Sequence, residues 1–509
     1  MRLTTLGHNG LRIDLDASPG GGLLINPWLN PAGALDDGAW QQGPAVVTTD
    51  ESLADVAAVV ITHGRPDHLD PYVLSRLAPT TLVLIPRLAS KAWLRDRLPG
   101  ATTIIELGDW EWHDITPSLR VLLVPEMSPC PHAAVVVRAG DRMLVDLNEA
   151  QLGQLPLRVI RQYADKLADV PDVVTVRPVP ASLDPLAVSF ENDTKRENAF
   201  RRARLRGLEF AVQALRVLQP RVVVPLAGSP LGYDELTTDA ADIGEQLTQR
   251  IIKGVTIMQP GDQLDLGTDP GRAGDGSPRS LVPERVFATA DQSPRKQTPW
   301  TPVPGSPLDA DGVTAWFTAL LAGMPPGTSL GLRMGLEATG ANGPTQRWII
   351  DFRPATQGVT PTADSIADCD YQLRVAASHL AGIVAGRITW DDLVGLLQLH
   401  VERGPRFRKD QPLLLLRHAG HDPAGAGQRV RDALAATRTI RLRDAAGQPL
   451  EFERHCPHSG LDLSETGELL DDGRVLRCVA HHYEFSLRDG ACLNAQCRPL
   501  RVGPEAPAP

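Results

Sequence analysis

Unbroken runs of aliphatic and β-branched residues recur through the first half of the chain, separated by stretches with helical periodicity. The runs at 57–62 (AAVVIT), 81–86 (TLVLIP), 134–137 (AVVV) and 221–225 (RVVVP) lack the polar alternation of a half-exposed strand. They predict strands covered on both faces. The longest helical pattern spans 193–218, with apolar residues on one side and arginines on the other, as an amphipathic helix on a sheet requires. Together these elements predict a layered α/β domain over 1–267. Gly, Pro, Ser and Asp then become dense, and 268–309 reads as a linker or long loop. A small α+β module is predicted over 310–425. It has a helix at 313–323, strands at 348–352 and 371–375, helical periodicity through 378–401, and a helix start at Trp390-Asp391-Asp392. Residues 426–502 read as short strands with frequent Gly and Asp, ending in a Pro/Ala tail at 503–509. No internal repeat is visible.

Composition narrows the function. At 509 residues the chain is long enough for roughly three domains, and 42% hydrophobic with 22% charged residues is globular. Fifty-one Lys and Arg against 61 Asp and Glu give a formal charge of −10, which excludes a general nucleic-acid binder. No apolar run reaches the ~18–20 residues of a membrane helix. Residues 1–14 alternate like a strand and carry no signal-peptide pattern. Six cysteines in such a length do not form a disulfide framework. The expectation is a cytoplasmic multidomain protein acting on a small molecule, with no nucleic-acid or membrane partner, as a single chain or a homo-oligomer.

The most specific chemistry lies near the C-terminus. Cys456-Pro-His458 and Cys478-Val-Ala-His481 are two loops, each offering one thiolate and one imidazole, separated by 19 residues. A cluster with two Cys on one iron and two His on the other needs this set. Four such donors also suit structural zinc, but zinc fingers pair cysteine with cysteine and histidine with histidine. The pattern resembles a Rieske [2Fe–2S] domain over about 438–502, with Cys456, His458, Cys478 and His481 as the cluster ligands. His482 stands where that family usually has Gly. Leu461 and Ala480 occupy the positions of the disulfide found in respiratory members, so the disulfide-free oxygenase subclass is the better match. Cys130, Cys369, Cys492 and Cys497 read as ordinary thiols.

A second cluster of donors lies in the first domain. Residues 59–70 (VVITHGRPDHLD) place His63, Arg65, Asp67 and His68 on a loop after a buried strand. His132 precedes another strand, and Asp146 ends the one after it. A buried carboxylate facing a His-rich loop is costly unless it meets a metal or hydrogen-bond donors. With Gly7-His8, Asn26-Pro27-Trp28 and 222–229, these residues resemble the metallo-β-lactamase fold, especially the branch containing CMP-N-acetylneuraminate hydroxylase, which also carries a Rieske domain. The fold class implied is a metallo-β-lactamase-like αββα sandwich, followed by the α+β module, which resembles a sterol-carrier-like unit, and an all-β Rieske domain. Arg65 replaces the second His of H-x-H-x-D-H, and no His occurs between His132 and His379. Arginine cannot ligate a cation. The candidate metal ligands are therefore His63, Asp67, His68, His132 and Asp146, enough for one ion rather than two. His8 reads as a structural neighbour of the site.

Two histidines and one carboxylate on one iron leave positions open for dioxygen. The resemblance thus implies a Rieske-dependent non-haem iron monooxygenase, hydroxylating or N-oxygenating a small polar substrate. Its cofactors would be the [2Fe–2S] cluster, a mononuclear iron and O2 as co-substrate, with electrons from an external ferredoxin or flavin reductase. Arg65 and Asp67 would be its catalytic residues, Arg65 pairing with a carboxylate in the lost metal's place or binding an anionic group. The alternatives are a metal-dependent hydrolase and a non-catalytic electron-transfer scaffold. A further basic cluster, Lys195, Arg196, Arg201, Arg202, Arg204 and Arg206, reads as a solvated helix face or as a dock for an acidic carrier.

Overall fold

The computed structural model describes residues 1–15, 21–30, 42–43, 45–46, 53, 55–87, 103–166, 170–177, 193–226, 229–230, 240–250, 252–266, 283–286, 289–290, 308–325, 330–340, 344–395, 398–403 and 411–503. Two sheets form the first half. One runs in the order Glu284–Arg285, Asp262–Asp265, Arg2–Gly7, Gly10–Asp14, Gly22–Ile25, Val56–Val60, Leu82–Pro86 and Thr103–Leu107. The other runs Val222–Pro225, Val173–Val176, Arg142–Asp146, Ala133–Ala139, Leu119–Pro125 and His113–Thr116. Leu11, Ile13 and Leu23 of the first sheet share one core with Val121, Val135 and Val137 of the second, so the sheets pack face to face. The outer face of the second carries the helices Gln154–Asp165 and Asp193–Leu218, and that of the first carries the short helix Pro71–Leu74. This is the expected αββα sandwich, and the unbroken apolar runs are its doubly covered strands.

The second unit is a five-stranded sheet, Gly358–Thr362, Gln346–Asp351, Arg333–Thr339, Tyr371–Ala376 and Leu399–Arg403, with the helix Ala310–Ala322 in its core. The helical reading of 378–401 fails at its end. Helices Ala377–Val384 and Trp390–Gly395 form, but Leu399–Arg403 is an edge strand antiparallel to Tyr371–Ala376. Leu399 and Val401 are buried while His400, Glu402 and Arg403 are less so, a period of two that the preceding helical pattern masks. A Thr389–Asp392 capping pair starts the Trp390 helix.

A second correction concerns 426–436, a helix where short strands were expected; its AGQRVRDALAA is rich in good helix formers. Much of 268–309 lies outside the described residues, but two described pieces belong to sheets: Glu284–Arg285 pairs with Asp262–Asp265, and Thr289–Ala290 with Ala45–Val46. Beyond 438 come a hairpin, Thr439–Arg443 with Pro449–Glu453, and a three-stranded sheet, Gly467–Leu470, Val475–Cys478 and Tyr483–Ser486. No helix among the described residues is long and apolar enough to cross a membrane.

Candidate redox and metal sites

The first-domain donors gather at the carboxyl ends of the parallel strands, where the chain leaves each sheet and backbone groups are free to hold a ligand. Ile25 leads into Asn26, Val60 into the His63–His68 loop, Asp146 into Asn148 and Glu149, and Val176 into Arg177. The Gly7–Gly10 turn, with Gly7 at φ 85° and His8 at φ 49°, delivers His8 and Asn9 from the opposite side. Asn26 Oδ1 accepts from both the backbone N–H and the hydroxyl of Thr62, and Asn148 Nδ2 donates to that hydroxyl. These bonds fix the loop bases. Asp70 closes the loop: its Oδ2 accepts from the Leu29 and Asn30 amides while Oδ1 caps the helix Pro71–Leu74.

Two three-donor groups result. In one, His8, Asp67 and His68 bring their ligand atoms within 4.8 Å of one another; in the other, His63, His132 and Glu149 do so. The groups adjoin, with the His63 and His68 ring centroids 3.8 Å apart. Each is two imidazoles and one carboxylate. The second is engaged by Arg65, whose Nη2 lies 3.1 Å from His63 Nε2 and ion-pairs with Glu149. Arg177 donates to the other Glu149 oxygen at 2.8 Å and reaches His8 Nε2 at 3.1 Å. Asn9 Nδ2 connects the groups, 2.9 Å from His68 Nε2 and 3.3 Å from Glu149 Oε1.

Charge balance explains how so many polar groups stay buried. Burial alone would favour a neutral Glu149, but Arg65 and Arg177 hold its carboxyl far below the ordinary range. For Asp67, His68 and Arg65 likewise overcome burial. Burial keeps His8, at about 4, and His63 uncharged, leaving imidazole lone pairs available. Two guanidinium cations therefore face two carboxylates, the pairing a buried charge requires.

Asp146 belongs to neither group. Its Oδ1 accepts from the Thr175 hydroxyl at 2.6 Å and the Asn148 amide at 3.0 Å. Oδ2 is buried without a hydrogen-bond partner, and burial raises the carboxyl to about 6. The unpartnered oxygen of Asp146 is a lone pair suited to a cation. Of the five predicted ligands, the structure brings Asp67 and His68 into one group, His63 and His132 into the other, and sets Asp146 beside them. The sequence reading missed Glu149, Asn9 and Arg177 and treated His8 as structural. The Gly-His-Asn-Gly turn was the one local signal for the hairpin tip.

The C-terminal loops have a different polarity. Cys456 and Cys478 are 1% and 0% exposed, whereas His458 and His481 are exposed with ring centroids 5.0 Å apart. His458 stacks on Tyr483 at 4.1 Å. Each loop is closed by its own backbone bonds: Leu461 O accepts from the Cys456 amide and Cys478 O from that of His482. His482 sits at φ 57°, the left-handed conformation that explains why Gly is usual there. Two buried, unbridged thiols opposite two exposed imidazoles fit a cluster with its thiolate iron inside and its imidazole iron at the surface. Cys130, Cys369, Cys492 and Cys497 form no disulfide either.

The class is thus a buried His–carboxylate site in an αββα sandwich joined to a Rieske-type donor set. Residues 421–502 match the Rieske [2Fe-2S] domain family, and the chain ends in a Rieske [2Fe–2S] domain. Over 98% of its length the chain is 23% identical to a Mycolicibacterium smegmatis protein named for a Rieske 2Fe-2S iron-sulfur centre, covering 99% of that protein. The first half has structural neighbours among metallo-β-lactamase-fold hydrolases. One is an isothiocyanate hydrolase from Delia radicum gut bacteria, 16% identical with a TM-score of 0.38, spanning 52% of this chain and 99% of that one. The sterol carrier protein 2-like 2 of Aedes aegypti is similar over 19% of this chain and 84% of its own, at 15% identity and a TM-score of 0.17.

Proposed function

We propose that the protein is a Rieske-dependent non-haem iron oxygenase, hydroxylating or N-oxygenating a small polar substrate with O2 and electrons from an external ferredoxin or flavin reductase. The observation that carries this reading is the joining of a Rieske domain, on one chain, to a buried site in which Arg65 binds both His63 and Glu149 of one three-donor group, while the adjoining group meets guanidinium only at its edges, Arg177 at His8 and Arg65 at Asp67. A two-metal hydrolytic centre needs both groups free. With Arg65 on His63 and Glu149, the remaining set is His8, Asp67 and His68, with Asp146 Oδ2 as a further buried acceptor. Two imidazoles and one carboxylate suit ferrous iron, which when bound would supply open positions for O2.

The protein's own groups then have definable tasks. Asp67 holds His8 and His68 through its two oxygens, 2.9 Å from His8 Nε2 and 3.1 Å from His68 Nδ1. Arg65 and Arg177 keep Glu149 ionised and fixed. Burial of the whole set excludes bulk water from the open face.

Cys478→Ala tests the reading. It should abolish reductant-driven oxygenation while leaving the first-domain metal bound. Undiminished turnover would overturn the oxygenase. A variant and parent alike without reductant-linked activity, but with hydrolytic activity, would favour a hydrolase.

A further inference from the structure

The cluster ligands divide into an exposed imidazole edge and a buried cysteine side, and the cysteine side does not face inert core. Cys456 and Cys478 share a hydrophobic cluster with Leu155, Val159 and Ile160 of the helix Gln154–Asp165. The Rieske unit is seated by directional bonds: Arg158 Nη1 to Gly467 O at 2.6 Å, Tyr163 hydroxyl to Arg443 O at 3.0 Å, and Arg443 to Glu111 at 2.7 Å.

Each cysteine loop is also linked, directly or through one neighbour, to a segment that leads to a site residue. Arg454, two residues before Cys456, donates from Nη1 to Met127 O at 3.2 Å. Next to Met127, the Glu126 amide donates to His132 O at 2.9 Å. On the other side, Cys478 Sγ lies 3.6 Å from Thr466 Oγ1. Nearby Ser464 O packs on Gly153, where a Cβ would come within 2.6 Å, and Gly153 is four residues after Glu149. The Gln151 amide, donating to Glu126 Oε2 at 2.8 Å, ties the two segments together. Both routes end in the His63–His132–Glu149 group, which Asn9 and the His63–His68 contact join to the other group.

We propose that the electron enters the cluster at the exposed His458–His481 edge and leaves through the buried cysteine loops to the first-domain site of the same chain. This rests on the reading that the first-domain site holds a redox metal. With both groups bound, the step would move one electron: a donor of the reduced-ferredoxin class would reduce the cluster held by Cys456, His458, Cys478 and His481, and the cluster would be reoxidised as a ferric ion held by His8, Asp67 and His68 became ferrous. No bond forms or breaks.

The test compares protein carrying Co2+ or Zn2+ in the first domain, the cluster reduced with dithionite, by relaxation of the cluster's paramagnetic resonance signal. Cobalt should speed relaxation relative to zinc. The effect should persist when loaded chains are re-equilibrated with a large excess of Cys478→Ser chains, which contribute no cluster. Loss of the effect on such dilution would place the communicating site on a second copy and overturn the proposal. Bound cobalt without faster relaxation overturns the route alone, whereas failure of either metal to bind overturns the metal reading and the route with it. A second readout mixes Cys478→Ser chains with His68→Ala chains: single-turnover reoxidation of the cluster by O2 should stay at the slow rate of His68→Ala alone, and recovery of the parent rate would overturn the proposal.

Discussion

Arg65 decides how many cations the first-domain site takes. It stands where the motif calls for His, is buried, and is held charged by Glu149 and Asp67 against the pull of burial. Arg65→His would remove the internal cation and restore a ligand. The expected outcome is one additional divalent ion per chain by elemental analysis, with the cluster unchanged; unaltered stoichiometry would show that Arg65 is not what limits the site. Arg65 also explains a glycine in the second unit. Gly395 lies against its side chain, and an added Cβ has no room there. Gly395→Ala should therefore destabilise the protein by about 1–3 kcal/mol in denaturant unfolding, the range for overpacking, by pushing Arg65 off Glu149.

At the scale of elements, the loop 126–132 is the meeting point of all three units. His418 of the second unit reaches Pro129 O at 3.0 Å and Cys130 Sγ at 3.5 Å, and Arg454 of the third binds Met127. Within the loop, burial raises Glu126 from 4.5 to about 7. The folded chain thus retains a proton that the unfolded chain loses near 4.5. This contribution to stability is full below about 4.5 and lost as pH rises through about 7. Glu126→Gln, which cannot ionise, should flatten that decline, worth roughly 3 kcal/mol at most, in urea unfolding of chelator-treated protein. An unchanged pH profile would contradict it.

The strands, the long helix and both histidine motifs were legible because each is a local pattern. Which loop ends converge is not local: Glu149, Asn9 and Arg177 carry no signal until the sheets bring Asp146, Val176 and the Gly7–Gly10 turn to one edge. The strand Leu399–Arg403 was misread because a helical rhythm runs up to it, and the helix 426–436 because Gly and Asp around it look like turns.

Across the whole molecule, the Rieske unit is seated rather than tethered. Gly153 permits the close approach to Ser464, so Gly153→Leu should separate the units. Limited proteolysis should then release a C-terminal fragment that the parent does not yield, while equal resistance would show that the seat is not set there. The second unit packs inward too: Trp28 of the first domain lies in its core and meets His8 edge-on at 5.2 Å. The basic residues Lys195, Arg201, Arg202, Arg204 and Arg206 are exposed, on the helix Asp193–Leu218 that covers the second sheet.

In the proposed function a one-electron donor and a single-metal oxygenase site share this chain. Metal analysis of anaerobically purified protein, with paramagnetic resonance before and after reduction, tests it most directly. The expected result is about three irons per chain, a reduced Rieske signal, and a separate ferrous centre that binds nitric oxide. Two irons, with zinc or nothing in the first domain and no nitric oxide adduct, would contradict it.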